Sequence, residues 1–233
     1  MRRFPWGLTV LTALAVVLLV GLGVWQVERL KWKQGLIAAA DAAAAKPAAP
    51  LDQVLAEGDL EFRKTLIVCP GLATAPFVEL QSIHDGEAGV RLISACRPAG
   101  RDFTLLVDRG FVGEGVATRP RVIETTLPLV LMGEFRTAPK PGGMAPAPTG
   151  ARFYARDTAA MARALKVAGP VRPEVVFALS ATNPEFPALR PSAPPAAFSN
   201  NHFGYALTWF GLAIALVGFY VALLRRRTKK VLS

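Results

Sequence analysis

The sequence predicts a membrane protein with two transmembrane α-helices flanking an extramembrane α+β domain that is mainly antiparallel β. Three observations carry this reading. Charge-free apolar runs stand near both ends, "GLTVLTALAVVLLVGLGVWQV" at residues 7–27 and a second run at residues 203–224. Basic residues flank their outer sides, Arg2 and Arg3 before the first and "RRRTKK" after the second. Between them, short β-type runs alternate with Gly, Pro and Asp-Gly turn signals.

Taken as a helix, each apolar run is about 30 Å long, the thickness of a bilayer's hydrocarbon core. The basic flanks place both termini on the cytoplasmic side of a bacterial inner (plasma) membrane. The chain then divides into a cytoplasmic N-terminus at 1–6, a first span at 7–27, a periplasmic α+β domain at 28–201, a second span at 202–224 and a cytoplasmic basic tail at 225–233. A cleaved signal peptide is disfavoured, because bulky Trp25, Gln26 and Trp32 follow the first run without a small-x-small pattern. No Arg/Ser-rich amphipathic presequence precedes that run, and the abundance of Ala, Pro and Arg suits a bacterial chain.

The formal net charge is +10. Arg2, Arg3, Arg225, Arg226, Arg227, Lys229 and Lys230 lie outside the spans, whereas all the acidic residues lie between 28 and 202. The middle carries only about +3, so the excess is a topology signal and not a nucleic-acid patch.

After the first run, "ERLKWKQGLIAAADAAAAKPAAP" favours helix as far as Ala45, and Pro47 ends it. "KTLIV", "PFVEL", "GVRLISACR", "FTLLVDRGFV" and "TLPLVLMGEF" read as strands. "DTAAMARALKVAG" reads as a short helix capped by Asp157 and stopped near Gly169. "EVVFALSA" is a last strand, and a Pro-rich extended segment at 184–195 leads back to the membrane.

No enzyme constellation emerges. In "SIHDG", alternation sends neighbours among Ser82, His84 and Asp85 to opposite faces, and His84-Asp85-Gly86 looks like a turn. No helix carries His or Glu pairs at metal spacing, and no Gly-rich loop opens a helix. The expectation is therefore a non-enzyme with no catalytic residues. Cys69 and Cys96 lie outside C-x-x-C patterns, which leaves two readings: a disulfide in an oxidising compartment, or two small buried residues.

On a helical wheel of the second span, Gly204, Thr208, Gly211, Ala215, Gly218 and Ala222 share an arc of roughly 80°. Such a small-residue stripe predicts close packing against the first span. His202, Tyr205 and Trp209 cluster on the opposite side, and so are expected to point away from the packed pair. Tyr205 and Trp209 suit an interfacial aromatic belt. His202 stands in a first helical turn, where the positive end of the dipole works against a cationic ring. A neutral imidazole is what an iron ligand requires, and a headgroup contact is the competing reading.

Three stretches, "LGVWQVERLKWK" (22–33), "VDRGFV" (107–112) and "NNHFGYALTW" (200–209), together resemble the surfeit-locus family of cytochrome c oxidase assembly proteins. Family members often continue the middle motif with Trp and Pro, where this chain has Phe111 and Gly113. The resemblance implies an assembly factor for a haem-copper cytochrome c oxidase in aerobic respiration. It would bind haem a as cargo and aid its insertion into the catalytic subunit. It implies that His202 is the iron ligand, with Trp25, Gln26 and Arg29 at the same membrane depth. Tyr205 and Trp209, on the histidine's face of the helix, would supply ring contacts or anchor in the lipid interface. Arg29 would pair with a propionate or act as a solvated interface anchor. Arg109 is expected to form a structural ion pair with a neighbouring carboxylate. The implied partners are the oxidase catalytic subunit, the haem a synthesis machinery and the lipid bilayer. The alternative is a scaffold that stabilises oxidase intermediates without touching haem.

Overall fold

A computed structural model describes residues 4–138, 142, 145–193 and 200–232. In chain order the elements are α1 (Trp6–Ala45), β1 (Ala49–Pro50), α2 (Leu51–Glu57), β2 (Lys64–Pro70), β3 (Phe77–His84), β4 (Glu87–Cys96) and β5 (Thr104–Gly113), followed by β6 (Pro128–Thr137), β7 (Arg152–Phe153), α3 (Thr158–Ala164), β8 (Val171–Ala178) and α4 (His202–Leu232). They fall into two compact units, Met1–Ala39 with Ala196–Ser233, and Ala40–Pro195.

The first unit holds α4 and most of α1, both long and apolar enough to cross a membrane. Leu11, Val17, Ile214 and Phe219 are largely exposed, as an apolar solvent around the helices allows. No proline interrupts α1 after Trp6, and it stops as expected just before Lys46-Pro47. Its 40 residues make about 60 Å of helix, roughly twice a hydrocarbon core. Within the second unit, Lys64 Nζ donates to the Ala44 carbonyl at 2.7 Å, satisfying one of the acceptors a helix end leaves open.

The second unit is one sheet in the order β1-β2-β6-β8-β5-β4-β3-β7. The pairs β2·β6, β6·β8, β4·β5 and β3·β4 are antiparallel, while β5·β8 and the two short edge pairs are parallel. The mainly antiparallel expectation holds. The "HDG" turn holds as well: Asp85 and Gly86 take φ 51° and 82° between β3 and β4, as a two-residue hairpin loop requires. In α3 the Asp157 side chain accepts from Ala160 N at 2.9 Å, the predicted N-cap. The helix ends at Ala164, short of Gly169. Lys166 turns left-handed (φ 54°), and the bonds Lys166 N→Arg163 O and Val167 N→Ala162 O close a Schellman motif.

A disulfide joins Cys69 on β2 to Cys96 on β4, with Cα atoms 5.5 Å apart. Three strands lie between β2 and β4 in the sheet order, so a flat sheet would hold them about 19 Å apart. The sheet is therefore rolled until its two halves meet. Ile67, Cys69, Cys96, Leu105, Val107, Leu131, Phe135, Val176 and Ala178 pack inside the roll. The alternate residues Leu106, Val175 and Phe177 form a second core with Val78, Leu80, Ile93, Phe153 and Met161. Strand β5 is consequently buried along its whole length.

Alternation also separates two neighbouring charges on β5. Buried Asp108 accepts from Arg91 Nε and Arg156 Nη2, both at 2.7 Å. Arg109 has no carboxylate partner among the described residues, which corrects the expected ion pair. Its guanidinium donates to Ala73 O at 2.7 Å and, at 3.4 Å, to Ala75 O, Ser94 Oγ and Thr182 Oγ1. Burial pulls its pKa down to about 10, so the group stays cationic at neutral pH. The sequence placed a carboxylate beside Arg109, but a strand sends that neighbour to the other face. At the sheet's edge, Glu79 receives Arg119 and Arg152 at 2.6 and 2.8 Å. Burial works to raise the Glu79 pKa, and the two arginine hydrogen bonds outweigh it and hold the carboxyl below its usual range.

Two outcomes are expected. Replacing both cysteines by alanine reopens a separation of 27 residues and should lower unfolding stability by about 3.5 kcal/mol on a chain-entropy account. Chemical denaturation followed by far-UV circular dichroism measures it, and a loss below about 1 kcal/mol would mean that the staple adds little to the roll. Arg109→Met should cost about 1–3 kcal/mol by leaving the Ala75 carbonyl without its donor, with Arg109→Lys milder. An unchanged or raised midpoint would show that the buried cation is a net liability.

Candidate functional site

The site is built by the packing of α1 against α4. Thr9, Thr12, Val16, Leu19, Gly23, Gln26 and Leu30 are all at least partly covered and recur at alternating three- and four-residue spacing. His202, Ala206, Trp209, Ala213, Leu216 and Tyr220 do the same on α4. This is the repeat that keeps two helices in contact along their length. The pairing is antiparallel: Gln26 meets His202, Gly23 meets Phe210, and Thr9 meets Tyr220. A Cβ on Gly23 would lie 2.6 Å from Phe210 Cε1, so only glycine fits without a shift. Ala206 and Ala213 are buried, whereas a Cβ on Gly204, Gly211 or Gly218 would meet nothing.

The seam is therefore the histidine face of α4 and not the glycine stripe, which corrects the sequence expectation. His202 and Trp209 face inward with the seam, while Tyr205 remains 55% exposed. Both faces of α4 repeat every seven residues, so periodicity on α4 alone could not choose between them. The signal that could have found the seam lies on α1, whose one heptad row carries Gly23 and Gln26 together.

Hydrogen bonds tie the pair together toward both ends. Thr9 Oγ1 donates to Pro5 O at 3.1 Å, so the Tyr220 hydroxyl, 2.6 Å away, donates to Thr9. At the other end Gln26 Oε1 lies 2.6 Å from His202 Nδ1. Gln26 is only 9% exposed, and its amide oxygen can only accept. With that oxygen against it, Nδ1 is the ring nitrogen that bonds to α1, and Nε2 is the one turned away from Gln26. Two residues earlier, Asn200 Oδ1 is buried with no hydrogen-bond partner among the described residues.

On α1 the Arg29 guanidinium lies 5.9 Å from the Trp25 ring centre and 5.0 Å from that of Trp32. Two indoles flank the cation and orient it. The structure thus joins His202 to Gln26, and Arg29 to Trp25. Among the described residues no group of three or more His, Cys, Asp or Glu could hold a metal ion. Asn200, Gly23 and Phe210 are the residues that sequence reasoning did not single out as part of this end or of its packing.

The SURF1 family model matches residues 13–214, a stretch that contains Gln26, His202 and most of the seam between them. This chain belongs to the SURF1 family. It is 27% identical over 232 residues to Surfeit locus protein 1 of Mus musculus, covering 89% of this chain and 72% of that protein. It is 28% identical over 220 residues to the Homo sapiens protein of the same name, covering 84% and 70%. A SURF1-like protein of Monosiga brevicollis is 26% identical over 242 residues, covering 90% and 85%. The SURF1 family is one of cytochrome oxidase assembly factors.

The two glycine faces give opposite expectations. Gly23→Leu should push α1 from α4, costing about 1–3 kcal/mol and lowering the membrane level of the protein. Gly211→Leu, facing open space, should leave both nearly unchanged. Immunoblotting of membranes and thermal unfolding in detergent measure the pair, and the reverse order of sensitivity would remove the seam described above.

Proposed function

We propose that this SURF1 family member binds haem a through His202 and aids its insertion into the catalytic subunit of a haem-copper cytochrome c oxidase. The observation that carries this reading is the His202 ring, held at Nδ1 by Gln26 Oε1 at 2.6 Å, which leaves Nε2 for iron. The residues around it fit such a cargo. Trp25 and Tyr205 are half exposed and offer aromatic faces, and Trp209 lies one heptad along from His202. Arg29 offers a cation to the propionates, and Asn200 Oδ1 offers an unfilled acceptor to a hydroxyl. Haem supplies a large apolar ring with anionic edges, which suits the boundary between hydrocarbon and water.

The same reading places the chain in a bacterial inner membrane with both termini cytoplasmic and residues 28–201 in the periplasm. The basic flanks support that orientation, and the Cys69–Cys96 disulfide supports an oxidising compartment for the sheet. The oxidase catalytic subunit and the haem a synthesis machinery are its partners, and the chain is a carrier with no catalytic residue. One observation favours a scaffold without haem instead: the Gly204–Gly211–Gly218 face of α4 is free to receive another helix.

The test is co-expression with haem a synthesis, followed by purification and absorption spectroscopy. Wild type should carry a Soret band. His202→Ala leaves the buried Gln26 amide without its partner, so haem is read per unit of purified protein; on that measure the variant should lose most of its haem, at least fivefold, with a displaced Soret maximum in the remainder. Haem a in the oxidase should fall with it. Full haem and an unchanged spectrum in the variant would remove His202 as ligand, and a wild type that never carries haem would leave the scaffold.

A further inference from the structure

Gln26 stands at the C-terminal end of the charge-free run of α1, inside a helix–helix seam and 9% exposed. A primary amide buried there is costly unless it is used. Its oxygen lies 2.6 Å from a ring nitrogen that the fold could have left in either protonation pattern. Free imidazole side chains in water favour the proton on Nε2, the nitrogen that points away from the main chain. An amide oxygen against Nδ1 reverses that preference, because it can accept from N–H and repels a lone pair.

We infer that Gln26 is a positioning residue that locks His202 in the Nδ1–H form before any cargo arrives, and that its hydrogen bond sets how strongly Nε2 donates to iron. The second half rests on the haem reading above, and the first half does not. A fixed tautomer means that no proton has to leave Nε2 when iron binds, and the ring's orientation is already set. A neutral acceptor also moderates the bond. A carboxylate against Nδ1 would draw that proton further, make the imidazole a stronger donor and favour ferric iron. An apolar side chain would leave the ring free to rotate and to carry its proton on Nε2. Glutamine lies between these, which suits a carrier that must both hold its cargo and give it up.

The chain has only two histidines, so nitrogen-15 histidine labelling of the full chain in detergent gives a spectrum of two rings. A His84→Gln background leaves His202 alone; His84 sits at the β3–β4 turn, away from this helix pair in the sequence. In the haem-free protein, the nitrogen shifts should report a protonated Nδ1 and an unprotonated Nε2. Gln26→Leu should return the ring to mostly Nε2–H, and Gln26→Glu should keep the proton on Nδ1. With haem loaded, Gln26→Leu should weaken haem binding about ten- to a hundredfold. The haem reduction potential should fall in the order Gln26→Leu, wild type, Gln26→Glu. A merely structural clasp would not order the potentials in this way. If the wild-type ring carries its proton on Nε2, the inference is wrong whether or not haem binds. If the tautomer is as stated but the potentials of wild type and Gln26→Glu coincide, the tuning role is overturned while His202 ligation stands. If wild type takes up no haem, the function proposed above fails and the tuning role with it, while the tautomer result still decides the positioning role. Should Gln26→Leu fail to accumulate, the wild-type shifts and the comparison with Gln26→Glu still decide both halves.

Discussion

Two helices in hydrocarbon gain little from hiding apolar side chains from each other, because lipid tails are as apolar as leucine. What fixes one arrangement of α1 and α4 is directional and steric. The Gln26–His202 and Thr9–Tyr220 hydrogen bonds permit one antiparallel register, and Gly23 lets the Phe210 ring come close. A slip by one helical turn would strand buried polar groups in a medium that cannot hydrogen-bond them. The candidate site depends on this constraint, since His202 faces Gln26 only while the register holds.

The sheet unit solves the opposite problem, in which burial drives folding and polar groups inside must be answered locally. Rolling the sheet brings Cys69 to Cys96 and encloses one core, while α3 and Phe153 help cover the second. The polar groups enclosed by this arrangement are divided by strand alternation. Asp108 draws Arg91 and Arg156 to one side of β5, and Arg109 on the other is answered by carbonyls and hydroxyls. A guanidinium, with five donors in a planar fork, can serve several acceptors at once where an ammonium would not. It can thus tie the turn at Ala73–Ala75 to Ser94 and Thr182 with no carboxylate partner among the described residues.

Much of this was legible in the residues because it is local. Charge-free runs, the Asp157 cap, the Asp85-Gly86 turn and the alternating strands each depend on a few neighbours, and each appears where the pattern placed it. Pairings across the chain were less legible. The cysteines left two readings open because sequence does not show a sheet rolling. Arg109 was given a carboxylate because adjacency in sequence is not adjacency on a strand. The wheel of α4 offered two equally periodic faces, and the decision came from α1, where Gly23 and Gln26 fall on one row. The candidate residues His202 and Gln26 were both found in the sequence, but their bond to each other was not.

Gln26 and His202 are 176 positions apart, with the entire sheet unit between them. On a ribosome, the glutamine leaves long before the histidine has been made. During that interval an apolar helix with a buried-type amide waits in the bilayer without its mate, a client for whatever insertion factors shield nascent spans. The clasp closes only after the intervening chain and the start of α4 have been made. A truncated or stalled product therefore has no His202 to close the clasp, and a closed clasp becomes a mark that translation ran through α4.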